Sequence, residues 1–233
     1  QTYNEVAIRI TRTHQWGANK LQDSLSGSDA MSAIAGRVSE YEARFLQRQI
    51  LAVLAGVFAD NVANDSGDMT FNASGVGFVA GVTNFTAENL FDCLQTAGDS
   101  QGDFSTLAVH SAVYNRMRKN NLIDFIQDSQ TGASLATFQG LRLVIDDGMP
   151  KTGNVYTSYV FAPGALEIGF GSLKKPTAVV EVEDAGNGIG AEVLYRRWQN
   201  CVHPMGFAYT GSTTASALGR GVDLFGASFR EAT

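Results

Sequence analysis

Apolar and polar positions alternate over residues 4–16, with Val6, Ile8 and Ile10 on one face and Glu5, Arg9 and Arg12 near them. A period of two belongs to an extended chain buried on one side. The stretch therefore predicts a strand, or one arm of a long hairpin whose other arm precedes Gln1. Residues 23–29 read as a loop, with Ser28 or Asp29 placed to cap a helix. From there to about Asn61 the period changes: Met31, Ile34, Val38, Tyr41 and Phe45 step by three and four and lay an apolar stripe along a helix. Glu40, Glu42, Arg44 and Arg48 take the other sides, with Glu40 and Arg44 at the favourable i,i+4 spacing. Residues 50–58 are apolar all round, which predicts burial on every side. At ~1.5 Å per residue this helix would reach about 50 Å, longer than one compact domain requires, so neighbouring subunits are expected to cover part of it.

The pattern then shortens. Residues 64–85 are rich in turn formers, with strand candidates at 69–71 and 77–79. A helix capped by Thr86 or Asn84 runs to about Thr96, residues 98–102 break the chain, and a second helix includes Val113 to Lys119. Its last turn carries Arg116, Arg118 and Lys119 against the negative end of the dipole. Strands are predicted at 137–146, 155–162, 166–169, 177–183 and 191–209, the last interrupted near His203 and Pro204. The run Leu141, Leu143, Ile145 stops at Asp146-Asp147-Gly148, and Pro150 blocks its extension.

Composition narrows the class. A chain 44% hydrophobic and 17% charged buries enough apolar surface to fold rather than stay disordered. Its longest apolar run, residues 50–59, is half of the ~20 residues a membrane helix needs. The net charge of −6 argues against a sequence-reading DNA binder, whose affinity comes largely from neutralising phosphates. It leaves room for a surface that lies near DNA without gripping it. Cys93 and Cys201 are far apart with no CxxC spacing, and read as two buried free thiols suited to a reducing cytoplasm. A chain opening on Gln1 reads as a processed, trimmed or partly ordered form of a longer product.

Candidate chemistry is sparse. Residues 186–191 (GNGIGA) follow a predicted strand and match a dinucleotide loop, but Val193, Tyr195 and Trp198 alternate where that loop needs a helix. A glycine-rich hairpin is the better reading. Residues 75–80 (GVGFVA) have no strong strand before them. His14, His110 and His203 show no metal-ligand spacing. His110-Ser111 lacks a nucleophile elbow, and adjacent helical residues diverge too far for the required hydrogen bond. The acidic clusters at 64–68, 99–103, 146–147 and 181–184 are explained by turn chemistry. No cofactor is expected, and the chain is read as a non-enzyme.

Two stretches resemble a known family. Residues 107–125 (LAVHSAVYNRMRKNNLIDF) lead through 138–150 (FQGLRLVIDDGMP) to 155–165 (VYTSYVFAPGA), and residues 196–209 (RRWQNCVHPMGFAY) follow. Together with the long helix they resemble the major capsid proteins of tailed bacteriophages. That resemblance implies an α+β chain with the Hong Kong 97-like shell fold: an extended loop, a long spine helix, a peripheral domain and an axial domain. Residues 1–24 would be part of the extended loop or arm, and 25–85 the spine helix with the first part of the peripheral domain. Residues 86–176 would be the axial domain, and 177–233 the returning strands with the C-terminal segment. The family's N-terminal arm, the first half of its extended loop and its final strand are not matched.

The implied function is a structural subunit, self-assembling as pentamers and hexamers into an icosahedral shell around double-stranded DNA. It would reside in the virion after assembly in the host bacterial cytoplasm. Its partners would be other copies of itself, scaffolding, portal or decoration proteins, and packaged DNA held without sequence-specific binding; no membrane is implied. Arg9, Arg12 and Trp16 on the arm, with Arg196, Arg197 and Trp198 on a returning strand, are the candidate subunit contacts. The rivals are an encapsulin-like cargo shell of the same fold, a nucleotide-binding oxidoreductase using Gly186 to Ala191, and a secreted adhesin-like β-domain, which the thiols and long helix disfavour.

Overall fold

Capping chemistry sets where the long helix begins. Asp29 Oδ1 accepts from Ser32 N at 2.9 Å and Asp23 Oδ1 accepts from Ala30 N at 3.2 Å, so two otherwise unpaired amides of the first turn are satisfied. In this computed structural model, which describes residues 5–75, 77, 79, 83–127, 134–185, 188–211 and 229–231, helix α2 spans Ala30–Asn64. Before it lie strand β1 (Ile10–Asn19) and the short helix α1 (Lys20–Ser26). The helix closes through Asn61, whose carbonyl accepts from Asp65 N and Gly67 N while its side-chain oxygen accepts from Met69 N. Ser66 and Gly67 take positive φ to make that reversal.

The chain divides into two units, Gln1–Val53 with Glu167–Thr233, and Leu54–Leu166. In the second unit, helix α3 (Ala87–Gln95) is capped by Thr86, which accepts from Asn89 N, and helix α4 (Ser111–Lys119) by the ring of His110. A 3₁₀ turn (Gly98–Asp103) fills the predicted break. Strands β2 (Thr106–Val109), β3 (Asp124–Gln127), β4 (Ser134–Phe138) and β5 (Leu141–Ile145) lead to a small hairpin of β6 (Lys151–Thr152) and β7 (Val155–Tyr156), then to β8 (Tyr159–Phe161). The main sheet has the order β3-β4-β5-β2-β8, with β2 and β5 parallel. Leu107, Val109, Phe138 and Leu141 from the sheet meet Leu90 of α3 and Met117 of α4 in a closed apolar cluster.

The first unit has a sheet of β1, β11 (Ala191–Pro204) and β10 (Thr177–Val182), with β9 (Leu166–Phe170) also on β11. A two-stranded ribbon of β12 (Phe207–Tyr209) and β13 (Phe229–Glu231) follows. The strand expected at residues 4–16 forms further along. Its regular part is Ile10–Asn19, and it has a partner in its own chain: it pairs antiparallel with β11 from Ile10↔Asn200 to Asn19↔Ala191. That partner lies so far along the sequence that no local signal announces it.

Other elements differ in detail. The predicted strand 137–146 is two strands, β4 and β5, joined by a two-residue turn at Gln139 and Gly140, both with positive φ. The predicted strand 155–162 is split between β7 and β8. Residues 69–71 form a turn and irregular backbone rather than a strand; the candidate at 77–79 includes Phe78, outside the described residues, as are positions 76 and 80 of the 75–80 glycine motif. Residues 186 and 187 also lie outside them, but the motif falls between the paired strands β10 and β11, so a strand rather than a dinucleotide-binding helix follows it. Among the described residues, no helix is long and apolar enough to cross a membrane.

Candidate functional site

The alternation of β1 sorts its side chains. Ile10 and Ala18 are buried and Arg12, His14 and Trp16 half-buried, while Thr11, Thr13, Gln15 and Gly17 are exposed. On β11 the matching face carries Leu194, Arg196, Trp198 and Asn200. This face packs on the first half of helix α2. Arg196 pairs through Nε and Nη2 with both oxygens of Glu42; Trp198 meets Tyr41 at 6.3 Å and Phe45 at 5.5 Å, both edge-on; Asn200 donates to Gln49. One helical turn rises about 5.4 Å and two strand residues about 6.6 Å. Glu42, Phe45 and Gln49 therefore keep step with Arg196, Trp198 and Asn200, and α2 runs in the same direction as β11. Glu42, expected on a solvent face, is turned to the sheet.

An aromatic cluster fastens β1 into the same seam. His14 stacks on Trp198 with ring centroids 5.4 Å apart, lies 5.8 Å from Trp16, and shares a 2.9 Å hydrogen bond between Nε2 and the Tyr41 hydroxyl. Trp16 meets Tyr41 edge-on at 5.5 Å. The Arg12 guanidinium lies 4.8 Å from the centre of the Phe45 ring, a cation–π contact. Its Nε and Nη2 are buried with no hydrogen-bond partner among the described residues, and burial lowers its pKa. Burial also lowers the His14 pKa, and the nearby Arg12 charge adds to this. The hydrogen bond to Glu42 raises that of Arg196.

The structure therefore brings Arg12, Trp16, Arg196 and Trp198 together on one face, and sets Arg9 and Arg197 apart. Arg9 is exposed on irregular backbone ahead of β1. Arg197 points to the opposite face of β11, where it lies 5.6 Å from the Tyr195 ring centre and donates to the Lys175 carbonyl at 3.3 Å. Sequence reasoning did not single out His14, Tyr41, Phe45, Gln49 or Asn200. His14 shares the parity of Arg12 and Trp16, and Tyr41 and Phe45 lie on the helix stripe, so those signals were present.

His110 and Ser111 come closer than adjacent helical residues would, because His110 is the cap outside the helix; Ser111 Oγ lies 3.5 Å from Nδ1. That nitrogen already accepts from Ala112 N at 3.1 Å, so the pair is helix-capping geometry rather than an activated nucleophile. Cys93 and Cys201 are free and only half-buried, not fully enclosed as expected, and burial raises both thiol pKa values.

This fold has known counterparts. The chain is 34% identical over 216 residues to the major capsid protein of Bacillus phage SPP1, a match covering 90% of this chain and 63% of that protein. A solved structure from Microbacterium phage Oxtober96 superposes with a TM-score of 0.55 at 10% identity, covering 85% of this chain and 67% of that one. The chain is thus similar in sequence to a phage major capsid protein over most of its length. Its fold is Hong Kong 97-like, mixed α and β with one long helix, α2. It spans 63% of the length of the SPP1 capsid protein. No family model matches it. The holo-SrpI encapsulin complex from Synechococcus elongatus PCC 7942 aligns with a TM-score of 0.45 at 12% identity, over 94% of this chain and 75% of that one.

Proposed function

We propose that this chain is the shell-forming part of a tailed-phage major capsid protein, a structural subunit rather than an enzyme, which assembles as pentamers and hexamers into an icosahedral shell enclosing double-stranded DNA. The observation that carries this reading is the 34% identity to the SPP1 capsid protein over 90% of the chain. The spine helix locked by side chains to a long sheet supports it, because a tile must stay rigid while its edges adapt. The net charge of −6 suits a wall beside packaged DNA that is not bound by sequence. Scaffolding, portal or decoration proteins are the further partners this role entails.

In this reading the unit Leu54–Leu166 contains most of the axial domain, and the other unit the peripheral domain with the root of the extended loop. The six candidate contact residues border the contacts between copies. Arg9 and Arg197 reach them directly, while Arg12, Trp16, Arg196 and Trp198 hold the seam behind them. Negative-stain electron microscopy of the full-length protein, paired with analytical ultracentrifugation, tests the proposal. Closed shells, or pentameric and hexameric capsomers, are expected. A protein that stays monomeric at high concentration, with scaffold candidates added, would overturn it.

A further inference from the structure

Helix α2 leaves part of the first unit's sheet uncovered. Gly171 N donates to Gln199 O at 2.8 Å, which sets Gly171 opposite Gln199 and turns Phe170 to the helix-facing side, with Trp198 and Asn200. Phe170 is nevertheless 74% exposed. Beside it opens a cavity of about 530 Å³, floored by Arg196, Trp198 and Asn200 and walled by the helix around Leu46 and by Leu173. An exposed Phe at the mouth of an apolar groove marks a contact surface rather than scattered surface hydrophobicity.

The rim carries charge of one sign. Lys174 and Lys175, both exposed, sit between the lining residues Leu173 and Pro176. Arg196 is neutralised by Glu42, but Lys174 and Lys175 enter no ion pair among the described residues. The chain has 23 acidic against 17 basic residues, so another copy is the anionic partner that such a rim complements.

We propose that this groove is a docking site for a second copy of the chain, which inserts an apolar side chain beside Phe170 and sets carboxylates against Lys174 and Lys175. The inference rests on the shell reading above and deepens it. A cationic groove is not complementary to itself, so the contact is heterologous, the kind that closes subunits into rings.

The test uses full-length protein carrying benzoylphenylalanine in place of Leu173, mixed from isotopically heavy and light preparations, assembled and irradiated. Cross-linked peptides joining heavy to light chains at position 173 are expected. Shells that assemble with no heavy–light link there, or with links only to a different protein, overturn the groove and leave the shell reading intact; failure to assemble at all removes both. A second variant, Lys174→Glu with Lys175→Glu, changes only exposed side chains. Its thermal melt should match the parent, while the yield of assembled particles at low salt falls at least tenfold. An unchanged yield would overturn the proposal.

Discussion

His14 shows how one side chain can couple strand, helix and pH. Its ring is held between Trp198 and the Tyr41 hydroxyl, and burial, aided by the Arg12 charge, lowers its pKa below the ordinary imidazole value. The folded chain then binds this proton less readily than the unfolded chain does. The resulting stability is fully present above about pH 6.5 and is lost as the pH falls through the folded-state pKa. Urea midpoints measured at pH 7.5 and 5 should fall less in His14→Gln than in the parent, and equal falls would remove His14 as the cause. Trp198 touches His14, Tyr41 and Phe45 but is only half-buried. Trp198→Ala should therefore cost about 3 kcal/mol, the low end for a large aromatic truncation, read by circular dichroism in urea. Alternation along residues 4–16 showed that Arg12, His14 and Trp16 share a face. It could not show what that face touches, because Tyr41 and Phe45 lie on another element.

Elements were legible where local chemistry decides them. Asp29 and Thr86 cap helices as their side chains require, and the i, i+3, i+4 stripe placed the long helix within a few residues of its observed ends. The β4–β5 hairpin was missed because its turn is Gln-Gly rather than the Asn-Gly or Asp-Gly that favours two consecutive positive φ values. Gln139 at φ 49° and Gly140 at φ 82° form that turn, which aligns Phe138 with Leu141 across the hairpin. Gly140→Ala should destabilise the second unit by about 1 kcal/mol, since a side chain is strained at that φ. Gln139→Asn should change stability by no more than a few tenths or improve it. Thermal melts of the two variants check the pair, and an Ala variant as stable as the parent would refute the turn's role.

At the scale of the whole molecule, Arg9→Glu combined with Arg197→Glu should lower the yield of assembled particles and leave the thermal melt nearly unchanged, because both side chains lie away from the helix-facing seam. A lowered melt with normal assembly would place them in the fold instead. The chain alone determined the α+β class, the long helix and its caps, the acidic turn at Asp146 and Asp147, and through the stretches at 138–150 and 196–209 the family it resembles. These are set by periodicity, capping and turn chemistry within a few residues, where sequence and backbone are directly coupled. Only the tertiary structure decided that β1 pairs with β11. It also decided that Glu42 turns inward to Arg196, and that Phe170 stands over an open groove. Each depends on which distant segments share a sheet and which face a helix covers, and pairings across some 180 residues leave no periodic trace in either partner.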